Sequence, residues 1–175
     1  MRLQDKISNG PAAKKVAYIG ILSALAIIMG YLEAIIPFNI GLPGIKLGIC
    51  NIVILVALYR LGLSEAFIVS IIRVVVIALL FGNAMSILYS AAGAVLSLLI
   101  MWFLKKSNRF GIIGVSGAGG TVHGMAQVAI AYLMTNAFPI MWYMPILMIA
   151  GLVTGIVIGA ASYIIMTRIP KLQEI

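Results

Sequence analysis

Ala66-Phe-Ile-Val-Ser-Ile-Ile-Arg-Val-Val-Val-Ile-Ala-Leu-Leu-Phe81 carries a single charge in sixteen residues. A bilayer core is crossed by about 20 predominantly apolar residues in helix, and this run reads as such a span, with Arg73 inside it. The reading extends outward in both directions. Upstream, Val16 to Pro37 forms a first apolar span. Leu47 to Tyr59 forms a shorter second one, expected to be short, tilted or partly buried. Downstream lie Met85 to Leu104, Ile112 to Thr135 with a glycine-rich first half, and Ile146 to Met166. The connectors carry turn chemistry: Pro37 to Gly44 is dense in Pro and Gly, Gly82-Asn83 breaks the third span, and Asn136 to Pro145 is an aromatic loop. At the turn after Arg60, Ser64 is placed to cap the third helix and Glu65 to sit in its first turn.

The fold expected is all-α, an integral membrane bundle of six transmembrane helices. Residues 1–15 form an N-terminal segment, 16–167 the transmembrane domain and 168–175 a tail. Composition agrees: 63% of the 175 residues are hydrophobic and 9% charged, whereas a soluble chain is about a quarter charged. The first apolar run is too long for a cleaved leader and is expected to stay as an anchor. The formal net charge of +8 does not require nucleic acid. Numbering the connectors alternately puts Arg2, Lys6, Lys14, Lys15, Arg60, Lys105, Lys106, Arg109, Arg168 and Lys171 on one side and Lys46 alone on the other. Basic residues stay cytoplasmic, so both termini are expected there, in a multi-pass protein of the cell membrane.

Polar residues inside the spans call for a reason. Arg73 lies about 13 Å into its helix at 1.5 Å per residue, near the bilayer centre, where an arginine costs at least about 2.5–3.5 kcal/mol. Two readings fit: a structural pair, or a counter-charge for an anionic ligand. Glu33, near the outer end of the first helix, lies at a different depth, so a direct pair with Arg73 is not assumed. His123 and Gln127 share a helix face at i, i+4, behind the run Ser116-Gly-Ala-Gly-Gly, whose small residues permit close helix approach. Lys46, Asn51, Asn83, Tyr89, Asn136 and Trp142 fall toward the outer ends and outline a pocket opening outward. Ala13, Ala17, Gly20 and Ala24 form a small-residue stripe that either packs inside the bundle or faces a partner subunit. One cysteine, Cys50, excludes an intramolecular disulfide and a cysteine-built zinc site. No suitable ligand set surrounds His123, so no metal and no cofactor is expected.

Several stretches resemble one family. They are Lys46-Leu-Gly-Ile-Cys-Asn-Ile-Val53, Phe81-Gly-Asn83, Tyr89-Ser-Ala-Ala-Gly93, Gly114 to His123 with Gln127, Tyr143-Met-Pro-Ile-Leu147 and Gly151-Leu-Val-Thr-Gly155. The family is heptaprenyl diphosphate synthase component I, also called the Gx transporter family. Its fifth helix reads His-Asn-x-Gly-Gln where this chain has His123-Gly-Met-Ala-Gln127. The family is similar in turn to the S-components of energy-coupling factor transporters, six-helix proteins that bind vitamins in their outer half and meet a coupling subunit through a small-residue stripe on the first helix.

The resemblance implies a non-enzymatic, substrate-binding subunit for a vitamin, quinone or isoprenoid-related molecule. Its partners would be membrane lipid, the small molecule and a coupling transmembrane subunit with ATPases. Prenyl chain elongation needs acidic clusters to hold Mg²⁺; this chain has Asp5, Glu33, Glu65 and Glu174, dispersed, and no Walker motif. The alternative is a non-catalytic accessory subunit in quinone or prenyl metabolism or in extracellular electron transfer. A lipid-directed enzyme with His123 as base lacks a nucleophile or oriented carboxylate beside it.

Overall fold

A computed structural model describes residues 11–35, 48–81 and 84–168. The described residues form six α-helices: α1 Pro11–Ile35, α2 Cys50–Arg60, α3 Leu63–Phe81, α4 Ala84–Ser107, α5 Ile112–Thr135 and α6 Met144–Arg168. A short 3-10 helix, Phe138–Tyr143, joins α5 to α6. It occupies most of the stretch expected as an aromatic loop, and Pro145 falls in the first turn of α6, where its missing N–H leaves no gap in the helix. Lys46, Asn83 and the Pro37 to Gly44 connector lie outside the described residues.

The all-α bundle of six helices is as expected, but the helices are not alike. α1, α3, α4 and α6 are long and apolar enough to cross a membrane, which suggests a multi-pass membrane protein. Their outer faces agree: Val16, Leu79, Ile149 and Val157 are each more than 60% exposed, and lipid, not water, is the solvent that tolerates such a surface. α5 has the length but not the apolar composition, because Gly, Ser, Thr, His and Gln replace aliphatic residues in it. α2 has 11 residues, roughly 16 Å of helix against a core about 30 Å thick.

That short helix is the centre of the molecule. Cys50 and every residue from Val53 to Leu58 are buried, and Ile54, Leu55 and Leu58 join Ala26 of α1, Val69 of α3, Leu98 and Met101 of α4 and Val115 of α5 in one core. A helix apolar on all sides finds a buried place, and α2 packs on α1, α3 and α6. Two residues reverse the chain into α3. Gly62 holds φ +123°, and the N–H groups of Leu61 and Gly62 both donate to the Ala57 carbonyl. α3 then starts at Leu63, so Ser64 lies inside the helix and is not its cap; the Gly62 carbonyl receives the Ala66 N–H in its place.

The end of the bundle that holds this turn is the basic end. Lys15 pairs with Glu65 at 2.5 Å, Lys105 Nζ donates to the Leu58 carbonyl at 2.7 Å, and Arg60 donates to the Met166 carbonyl. Two of these cations meet carbonyls in the last turns of α2 and α6, where the helix leaves its acceptors unpaired.

Candidate functional site

The wall of the site is a glycine seam. α5 and α6 run antiparallel with their backbones in contact, in a register that pairs Ser116 with Gly155, Gly120 with Gly151 and Gly124 with Leu147. A Cβ on Gly155 would lie 2.6 Å from the Ser116 carbonyl oxygen, and one on Gly124 2.8 Å from that of Leu147; one on Gly120 or Gly151 would overlap the other's carbonyl. The four-residue spacing of small residues on both helices produces this fit, since i and i+4 share a face. Thr121 and Thr154 return their hydroxyls to the Gly117 and Ala150 carbonyls, one turn back.

In front of the seam lies a cavity of about 80 Å³. It runs inward from the end opposite the basic one. Glu33 of α1, Gly48, Cys50 and Asn51 at the start of α2, and Arg73 in the middle of α3 line one side. Ser97 and Met101 of α4, Ser116, His123 and Gln127 of α5, and Leu147, Ala150, Thr154 and Ile158 of α6, with the seam glycines between them, line the rest. Polar groups gather here inside an apolar bundle, beside an apolar stretch of wall from α6. The cavity's present size holds a handful of water molecules, against the roughly 300–1,000 Å³ of small-molecule pockets. Anything larger than a few water molecules would require the walls to separate.

The charged groups meet through a thiol. Arg73 Nη1 donates to Cys50 Sγ at 2.8 Å, and the Cys50 thiol points to Glu33 Oε2 at 3.5 Å. The other Glu33 oxygen accepts the N–H of Gly48, whose φ of +69° is a left-handed conformation that glycine adopts without strain. The depth difference argued against a direct Arg73–Glu33 pair; the two instead share Cys50. Arg73 Nε is buried without a hydrogen-bond partner, so the guanidinium keeps a donor in hand beside the cavity. The His123 ring lies over Gly93 of α4, where a Cβ would stand 2.8 Å from its Cε1. Gly93 is thus the space that lets the imidazole sit between α4 and α5.

Of the residues singled out from sequence, Arg73, His123, Gln127, Asn51 and Glu33 come together in the lining. Tyr89 is half-buried on α4, Asn136 is exposed and closes α5 in the left-handed conformation, and Trp142 is 75% exposed on the 3-10 helix; none of these three is in the lining. Lys46 and Asn83 lie outside the described residues. Cys50, Ser97, Ser116 and Thr154 also line the cavity, though none of them was expected there from the sequence. Cys50 stands beside Asn51 in the Lys46–Val53 stretch, and attention to that stretch alone would have found it. On the outside of α1, Ala17, Gly20 and Ala24 are exposed, Ala13 is half-buried, and nothing lies within 4 Å of a Cβ built on Gly20. The stripe therefore does not pack inside the bundle.

These features define a small multi-pass membrane protein built around a polar cavity. Residues 22–165 match the family of heptaprenyl diphosphate synthase component I, and the chain belongs to that family. No curated protein and no solved structure matches it.

Proposed function

We propose that the chain is the substrate-binding subunit of a membrane transporter for a small molecule of the vitamin, quinone or isoprenoid-related kind, with Arg73 as the counter-charge for an anionic group on it. The observation that carries this reading is Arg73, held at mid-helix on a polar cavity with its Nε unpartnered. A cation placed at that depth marks a ligand or ion pathway by default. His123 and Gln127 supply hydrogen-bonding groups across the cavity, and Asn51 and Glu33 stand nearer its outer end. The positive-inside distribution supports cytoplasmic termini and a cavity opening outward, in the cell membrane. The exposed Ala17, Gly20 and Ala24 stripe supports a coupling transmembrane subunit, which with its ATPases would supply the energy. No chemistry is assigned to the chain itself: it is not read as an enzyme, and no cofactor or metal is part of the proposal.

Native mass spectrometry of gently purified protein tests this. The wild-type chain is expected to retain a small molecule that Arg73→Ala loses and Arg168→Ala keeps. A wild-type protein that retains nothing favours the accessory-subunit alternative. Retention unchanged in Arg73→Ala removes the assigned role of the arginine.

A further inference from the structure

We infer that the basic end of the bundle carries a separate site for the headgroup of an anionic phospholipid, in a groove between the α2–α3 turn and the end of α4. The groove measures about 460 Å³ and is lined by Tyr59, Trp102, Lys105, Lys106, Asn108 and Phe110, with Gly62 and Leu63 at the turn. It shares no lining residue with the central cavity.

Three observations point to this occupant. The first is charge. Lys105 Nζ stands 4.9 Å from the centre of the Tyr59 ring and Lys106 Nζ 5.3 Å from that of Trp102. The aromatic faces hold two amines at one groove while leaving their remaining N–H donors free to meet a phosphate. Lys105 spends one donor on the Leu58 carbonyl, which fixes its position. The second is depth. Both lysines sit in the last turn of a membrane-length helix, and tryptophan and tyrosine beside lysine are the residues that settle at headgroup level.

The third is what lies below. Leu96, Leu99, Phe103 and Lys106 follow one another at spacings of three and four, so they share a face of α4. The three apolar members are exposed. A lysine at the top of an exposed apolar stripe matches a molecule with a phosphate at one end and acyl chains at the other. A free phosphate would have no use for the stripe.

The test is native mass spectrometry of the full chain in detergent, with equal amounts of phosphatidylglycerol and phosphatidylcholine of the same acyl length. The wild type is expected to keep an adduct of the anionic lipid in preference to the zwitterionic one. Lys105→Gln with Lys106→Gln should cut that preference by roughly tenfold or more, taking each surface lysine at its usual contribution to anionic lipid binding. Lys106→Gln alone spares the Lys105–Leu58 hydrogen bond and should lose a smaller part of it, with an unchanged melting temperature as the check on folding. Arg168→Gln removes the same charge from the same end on another helix and should keep the preference. Equal retention of the two lipids, or an equal loss in Arg168→Gln, overturns the site. Displacement of the adduct by excess inorganic phosphate identifies a small-anion site and overturns the lipid reading.

Discussion

The two walls of the central cavity are held by different physics. On the α5–α6 side, backbone meets backbone along a glycine seam. Nothing there can rotate out of the way, because the atoms in contact are carbonyls and Cα atoms. On the α1–α2–α3 side, three side chains hold the wall: Arg73 to Cys50, Cys50 to Glu33, and Glu33 to the Gly48 N–H. Side chains have rotamers to move between, and each of these hydrogen bonds is worth little net when an alternative partner is at hand. One wall is a fixed surface and the other a latch. If the cavity is to admit something larger than a few water molecules, the latch is the wall that yields.

The comparison breaks first at the seam. Gly151→Val puts a branched side chain onto the Gly120 carbonyl, and overpacking of this severity should cost more than about 3 kcal/mol. The expected outcome is loss of monodisperse protein on size-exclusion chromatography in detergent. Gly20→Ala is the control in the same residue type. Space is open around it, and alanine should raise the thermal midpoint slightly, by roughly 0.5–1 kcal/mol of helix stability. Were Gly151→Val as well tolerated as Gly20→Ala, the seam would not be the rigid wall.

The latch should respond less strongly. Arg73→Gln and Glu33→Gln are each expected to cost about 1–3 kcal/mol. Both act through Cys50, so the double variant should be less destabilised than the sum of the two, with a coupling of about 1 kcal/mol in a thermal double-mutant cycle. Strict additivity would mean that the thiol does not link them. Hydrogen exchange reads the same contrast without mutation: amides at the end of α1 and the start of α2 should exchange faster than those along Gly117–Gly124 and Gly151–Gly159. Equal protection on both sides would remove the distinction between wall and latch.

Gly93→Ala is milder still. It pushes on the movable end of His123, not on backbone, so stability should fall by less than about 1 kcal/mol, while retention of the proposed ligand should weaken with the displaced imidazole. A comparably small effect is expected far from both walls. Lys15 is half exposed but its partner Glu65 is buried, so Lys15→Gln leaves the carboxylate without its cation and should cost about 1 kcal/mol. High salt should shrink that difference only in part, because a half-buried pair is screened less than an exposed one, and should leave the seam untouched.

Much of the architecture was legible in the chain because its signals are local. Apolar runs of membrane length, Pro and Gly between them, and small residues at four-residue spacing need no tertiary information to be read. Arg73, His123 and Gln127 drew attention for a similar reason: a polar residue in an apolar run is conspicuous wherever it points. Cys50 was not conspicuous, because a thiol among aliphatic residues reads as one more buried hydrophobe. Ser97, Ser116 and Thr154 are equally silent, since a hydroxyl in a membrane helix can satisfy itself on its own backbone, as Thr154 does. Trp142 and Asn136 were legible as residues, but their direction was not; one caps a helix and the other stands exposed on a 3-10 turn.

The sequence by itself determined that the chain is an apolar helical bundle with an arginine inside the run Ala66–Phe81. Transfer free energies fix that, and they depend on composition and length alone. Only the tertiary structure decided that the short second helix sits at the centre of the bundle, that the α5 glycines meet the α6 glycines, and that Arg73 reaches Glu33 through Cys50. Those facts depend on which faces of separate helices meet. Helix periodicity sets the faces, but packing against residues far away in the chain chooses among them.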